Sequence, residues 1–206
     1  AGGTITWYSD AALTNQFAVG DSAMPSIVNP GTEMLYAVET DTNTCTSSTA
    51  DTIVITLDTL PNVTLAPLTD VCDNSGLVTL LGESPVGGTW SADSGVTATG
   101  ILDPIAIGGT GTYNVTYSYT DGNGCTSDDV QTITVNPEPM VMFTGLNDIC
   151  VDNGLVDLTA FTNLAGGSFS GAGVSGNDFD AASAGSGVFT LTYNYTDTIT
   201  TCSSFD

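Results

Sequence analysis

The chain has 206 residues, among them 23 Asp or Glu and no Lys, Arg or His, for a net charge of −23. Without a basic side chain nothing neutralises phosphate, so nucleic acid is excluded as a direct partner and an anionic membrane surface is disfavoured. Imidazole bases, amine nucleophiles and Ser–His pairs are equally excluded, which leaves a pair of carboxylates as the one catalytic device available.

At 41% hydrophobic, with clear alternation, the chain is no acidic disordered tail, and its apolar runs are too short to insert into a bilayer. It has no initiator Met or signal peptide and reads as a mature product or a window on something longer. In chain order, residues 1–59 form the back part of a module that lacks its first strands. Gly2-Gly3-Thr4-Ile5-Thr6-Trp7 is a strand led by a Gly pair, Met34–Val38 begins a hairpin and Thr52–Leu57 closes it. Residues 60–137 are a complete module. Its expected strands are Asn62–Leu68, Leu77–Leu81 and Gly87–Ser91, with a turn over Thr69–Gly76 and a looser stretch over Gly95–Gly109. The strongest signal is Gly111–Val135. Here Tyr113, Val115, Tyr117 and Tyr119 alternate with polar residues, turn through Asp121-Gly122-Asn123-Gly124, and return by a second alternating run.

Residues 138–206 repeat that module without its last strand. Asp148-Ile149-Cys150 answers Asp70-Val71-Cys72, Gly166–Ser170 answers Gly87–Ser91, and Tyr193–Asp197 answers Tyr117–Asp121. Cys45, Cys125 and Cys202 mark a period of nearly eighty residues. Short strands, Gly-rich turns and no helical period predict an all-β fold of tandem antiparallel immunoglobulin-like β-sandwiches. Trp90 is expected in the core, with Phe169 and Trp7 in its place elsewhere. The short linker Val135–Met140 holds two prolines, so the array is expected to be a stiff rod whose partners are neighbouring repeats.

The pattern V-C-D-N-S-G-L-V-T-L, then G-G-T-W-S, then G-T-Y-N-V-T-Y-S-Y-T-D-G-N-G-C-T-S resembles the immunoglobulin-like and PKD-like tandem repeats of very large Bacteroidetes surface proteins. The opening G-G-T-I-T-W-Y-S-D-A-A-L-T is similar to a related repeat of the same proteins. The resemblance implies export by the type IX route, an extracellular place at the cell surface, and a non-catalytic role as the stalk of a filament or adhesin. It does not name an adhesion target. A glycan- or partner-binding module and a pilus-like subunit completed by strand addition are the alternatives.

Within that frame three sets of residues are candidate sites. Asp70, Asp73 and Asn74 share one turn, Asp148 and Asp152 its counterpart, and Asp121 and Asn123 the hairpin turn. Oxygen ligands in flexible loops suit Ca²⁺, although Asp and Asn also cap turns by bonding their own backbone. No other cofactor is expected. The acceptor pattern that the family uses for O-glycosylation is matched at Ser22, Thr52, Thr59 and Thr198, and Asn62, Asn114 and Asn194 head formal N-glycosylation triplets. Five cysteines in an exported chain suggest disulfides. One scheme links modules internally, Cys72 to Cys125 and Cys150 to Cys202. The other joins Cys72 of one module to Cys202 of the next and leaves Cys45, Cys125 and Cys150 to partners outside. The sandwich topology favours the second, because Cys72 and Cys125 fall at opposite ends of a module; a rearranged first strand would restore the first.

Overall fold

The computed structural model describes residues 2–206. Strands make up 40% of the chain and helix 4%, so the fold is all-β. The chain divides into two compact units, Ala1–Asn62 with Thr120–Ser127, and Val63–Tyr119 with Asp128–Asp206.

The first unit is built on one antiparallel sheet. Its strands are β1 (Thr4–Tyr8), β2 (Gln16–Val19), β3 (Gly31–Thr40) and β4 (Asp51–Leu57), in the order β2-β1-β3-β4. Leu35 and Val38 of β3 are both buried although strand alternation faces them to opposite sides of the sheet, and Trp7 of β1 is half-buried opposite Ala37. Its indole nitrogen donates to Gly20 O at 2.9 Å. The sequence gives β2 no marked alternation, and it was not among the expected strands.

In the second unit the 60–137 module contributes β5 (Thr64–Leu65), β6 (Val71–Cys72), β7 (Val78–Thr79), β8 (Glu83–Ser84), β9 (Thr89–Ser91), β10 (Ile101–Leu102), β11 (Gly111–Thr120) and β12 (Thr126–Asn136). One sheet has the order β6-β12-β11-β9, and β5 pairs with β8 and β7 with β10. The expected first strand over Asn62–Leu68 is cut to two residues, since Pro61 and Pro67 deny the ladder two donors. Part of the expected turn is instead β6, which runs parallel to the end of β12 with Val71 opposite Val135 and Cys72 opposite Asn136. Nine buried residues form one core: Leu65, Leu80, Trp90, Leu102, Ile107, Val115, Tyr117, Ile133 and Val135. They come from all three sheets and from the loops between them. Trp90 is 5% exposed and tilts against Tyr117, with ring centroids 5.1 Å apart.

The 138–206 module follows with β13 (Leu155–Asp157), β14 (Ser168–Ser170), β15 (Val174–Ser175), β16 (Asp178–Asp180), β17 (Thr192–Thr196) and β18 (Ser203–Phe205). The sheets are β13-β16-β15 and β14-β17-β18. Contrary to the expectation of no helix, Ala181–Ala184 is a single α-helical turn. Asp180 caps it by accepting from Ala182 N, and Gly185 ends it at φ +85°. Four residues are too few to print a helical period in the sequence.

One device is built identically in the two modules of this unit. The Tyr117 hydroxyl accepts from Gly88 N at 2.6 Å and donates to Pro85 O at 2.6 Å; that of Tyr193 accepts from Gly167 N at 2.8 Å and donates to Leu164 O at 2.7 Å. The ring lies so close that a Cβ on Gly88 or Gly167 would collide with it and with the backbone of the facing strand. The Gly-Gly pairs of the sequence therefore serve a tyrosine clamp.

Candidate functional site

The site with the most specific construction lies where the 60–137 and 138–206 modules meet, inside the second unit. Cys72 and Cys202 are joined by a disulfide, with Cα atoms 5.6 Å apart and 130 residues between them in sequence. Cys202 is fully buried. Chain geometry places the two ends. Cys72 lies beside Asn136 at the last residue of β12, whereas Cys125 immediately precedes its first, so about 35 Å of strand separates them. Cys125 and Cys150, the partners required by the internal scheme, carry free thiols, as does Cys45.

Around the bridge, polar groups cross between the two modules. Asn74 Nδ2 donates to Ser203 O at 3.0 Å, and Asp73 Oδ1 accepts from Glu138 N at 2.8 Å, which fixes the start of the linker. Ser204 Oγ donates to Glu138 Oε1. The cysteine loop itself is tied down by Cys72 N donating to Ser75 Oγ at 3.0 Å and Asp73 N donating to Asn136 O at 2.9 Å. Cys72, Asp73, Asn74 and Cys202 were singled out in the sequence. Ser203, Ser204 and Glu138 were not, and their only sequence signal is adjacency to Cys202 and to Pro137.

Of the acidic residues proposed for Ca²⁺, Asp70, Asp73 and Asp121 are engaged with backbone amides. Asp70 Oδ1 accepts from Thr134 N at 2.9 Å, and Asp121 Oδ1 accepts from the amides of Asn123 and Cys125, both at 2.9 Å. Asn123 contributes its main chain to that turn. Asp148 and Asp152 are exposed. Among the described residues no three His, Cys, Asp or Glu side chains gather to hold a metal ion.

The hairpin turn is built alike in the first two modules, and in the third, where the loop is one residue longer, an Asp again accepts from two turn amides. Asp41 accepts from the amides of Asn43 and Cys45, Asp121 from those of Asn123 and Cys125, and Asp197 from those of Ile199 and Thr200. The amides of Thr200 and Ile199 hold the Asp197 carboxyl below the usual carboxylate range. The Thr14 hydroxyl and the Asn15 amide do the same for Asp10, as do the hydroxyl and amide of Thr159 for Asp157. Burial, with Asp121 and Asp58 adding repulsion, pushes the Cys125 thiol up, which lowers its thiolate content.

Ser22, Thr52, Thr59 and Thr198 are all exposed, as are Asn62, Asn114 and Asn194. No protein-family model matches the chain, and no curated protein matches it in sequence.

Proposed function

We propose that the chain is a non-catalytic structural segment: tandem immunoglobulin-like β-sandwich modules forming the stalk of an extracellular surface filament or adhesin. The observation that carries this reading is the covalent junction between successive modules. A disulfide that joins the start of one repeat to the hairpin end of the next makes a mechanical bypass. Load entering the second module passes from Cys72 to Cys202 and spares the 129 residues between them from being drawn out.

The surface chemistry supports the same reading. The polar hollow of the 60–137 module, lined by Asp93, Tyr113 and Asn114 among others, holds a single carboxylate, whereas glycoside hydrolysis needs two facing each other. The carboxylates of all three hairpin turns are committed to turn amides. Exported, oxidising surroundings suit the disulfide and the exposed Thr and Ser acceptors.

Single-molecule pulling on the chain held by its two ends tests the bypass. Oxidised, the segment between Cys72 and Cys202 stays out of reach. Reduced, it adds about 45 nm of contour length, from 130 intervals at about 3.5 Å each. Equal extension in the two states would remove the observation on which the stalk reading rests.

A further inference from the structure

In the 60–137 module β11 outruns its neighbour. β9 ends at Ser91, opposite Thr116, whereas β11 continues to Gly111, so Thr112–Val115 has no described strand beside it on that flank. The space left there is a hollow of about 390 Å³. It is lined by Ser91 and Asp93 from β9 and the loop after it, by Tyr113, Asn114 and Thr116 from β11, and by Ile107. Its walls are held in place. Ser94 Oγ donates to Ile107 O at 3.3 Å, Asp103 N to Gly95 O at 2.8 Å and Ile107 N to Asp103 O at 3.0 Å, so the loop that carries Asp93 is tied to the loop that carries Ile107. Gly95 sits at φ +69°, and a Cβ there would strike the backbone of Ile107. The Tyr113 hydroxyl donates to Gly109 O at 3.1 Å, which fixes its half-buried ring.

The polar groups of the hollow are uncommitted. Among the described residues the side chains of Ser91, Asp93, Asn114 and Thr116 bond to nothing else in the protein, whereas Asp70, Asp73, Asp103 and Asp121 all accept from backbone amides. The repeat does not require them either. Gly95-Val96 corresponds to Gly173-Val174, each glycine at positive φ. Three residues, Ala92-Asp93-Ser94, therefore stand where the 138–206 module has two, Gly171-Ala172. Asp93 has no acidic counterpart, and Tyr113 and Asn114 are answered by Phe189 and Thr190. A common fold does not account for a carboxylate, a carboxamide and a phenol that one module carries and the other lacks.

We infer that this hollow binds a neutral saccharide through one pyranose ring with vicinal hydroxyls, whether or not the module also serves in a stalk. The net charge of −23 repels an anionic ligand, and no basic side chain exists to receive one. One carboxylate is too few to hold a metal ion. A cationic ligand would meet that single exposed carboxylate, a weak pairing in water, and would leave the neutral groups unused. A pyranose presents in one compact body what all of these groups take. Its hydroxyls donate to the Asp93 carboxylate and exchange hydrogen bonds with the Asn114 carboxamide and with the hydroxyls of Ser91 and Thr116. Its C–H face lies against the Tyr113 ring. Bonds to a charged acceptor are the strong ones, so Asp93 is the anchor. The volume falls at the low end of the range for small-ligand sites, about 300–1,000 Å³, and the tied loops hold the groups in position before the sugar arrives. With one carboxylate the sugar is bound and not hydrolysed.

Backbone-amide NMR shifts of the oxidised chain test this with the methyl glycosides of glucose, galactose, mannose and N-acetylglucosamine as probes. At least one probe is expected to shift the amides of Ser91–Ser94 and Thr112–Thr116 saturably, with Kd in the millimolar range, and to leave Ser168–Ser170 and Thr190–Tyr193 in place. Asp93→Ala and Asn114→Ala should each weaken that binding by about tenfold or more. Both side chains are exposed, so both variants are expected to melt with the wild type, which separates loss of the site from loss of the fold. Absence of saturable shifts with all four glycosides would overturn the inference, and so would undiminished binding by Asp93→Ala. Shifts with methylammonium that match those with the glycosides would assign the hollow to a cation and overturn it. Equal shifts in the 138–206 module would mark contact without a site, and would overturn it too.

Discussion

Removing the Cys72–Cys202 bridge by the double substitution Cys72→Ala and Cys202→Ala is the most informative perturbation of this fold. The bridge closes a loop of 130 residues. Loop-closure entropy for that length is about −17 cal/mol/K, or about 5 kcal/mol at 25 °C, if the effect lies in the unfolded chain. Two terms modify it. Cys202 is fully buried, so truncation to Ala also removes some packing and adds to the loss, whereas the hydrogen bonds from Asn74 and Glu138 remain to hold the junction. For a chain of this size about 5 kcal/mol corresponds to a fall of roughly 10–20 °C in Tm. Calorimetry of the oxidised chain, the reduced chain and the double variant gives the comparison. The last two should melt together, well below the first, and the loss should fall in the transition of the second unit. A double variant that melts with the oxidised chain would refute the entropic argument. A non-reducing digest that yielded a Cys72–Cys125 peptide would refute the pairing.

Tyr117→Phe strips two partners from a buried hydroxyl and leaves Gly88 N and Pro85 O unpaired, so it should cost about 1–3 kcal/mol in urea unfolding; Tyr193→Phe should match it. Asp197→Ala removes an acceptor shared by two turn amides and should lower the urea midpoint at neutral pH. Because the carboxyls of Asp10, Asp157 and Asp197 lie below their usual range when folded, their contribution is complete above their unfolded pKa of about 3.9 and is lost as pH falls through the lower folded values. Stability of the wild type measured against pH should therefore drop below about pH 4, and less steeply in the triple Asp→Asn variant. Self-association in sedimentation should rise as pH falls through and below about 4, where protonation of the carboxylates progressively removes the repulsion between chains.

What the sequence announced and what it concealed follow the range of the interactions. The β11–β12 hairpin was expected over Gly111–Val135 and is found at Gly111–Thr120 and Thr126–Asn136, because alternation and an Asx-type turn are local signals. Trp90 in the core was legible for the same reason. The parallel pairing of Val71-Cys72 with Val135-Asn136 was not, since it joins residues 64 apart and leaves no periodicity in a two-residue strand. The acidic turns drew a metal reading because Asp in a ligand loop and Asp in an Asx turn look alike in sequence; only the positions of the amides tell them apart.

A chain without a single cation cannot form an ion pair between side chains, and its remaining charges can only repel. The structure resolves this by giving many of its carboxylates backbone N–H donors, and by using a covalent bond and neutral donors where Asp73 and Glu138 come together at the junction. Repulsion between two exposed carboxylates 4 Å apart is about 1 kcal/mol in water, well under the roughly 5 kcal/mol assigned to the bridge, so the junction withstands it. Folding brings like charges closer, so screening acts almost wholly on the folded state. Raising NaCl from about 10 to 150 mM shortens the Debye length from about 30 to 8 Å and should raise the melting temperature, the reverse of what a salt-bridged fold shows. The gain should be larger in the double cysteine variant, where repulsion at the junction is no longer opposed by a covalent link. A melting temperature that falls as NaCl rises would refute this account and mean that the attraction of carboxylates to backbone amides outweighs their mutual repulsion.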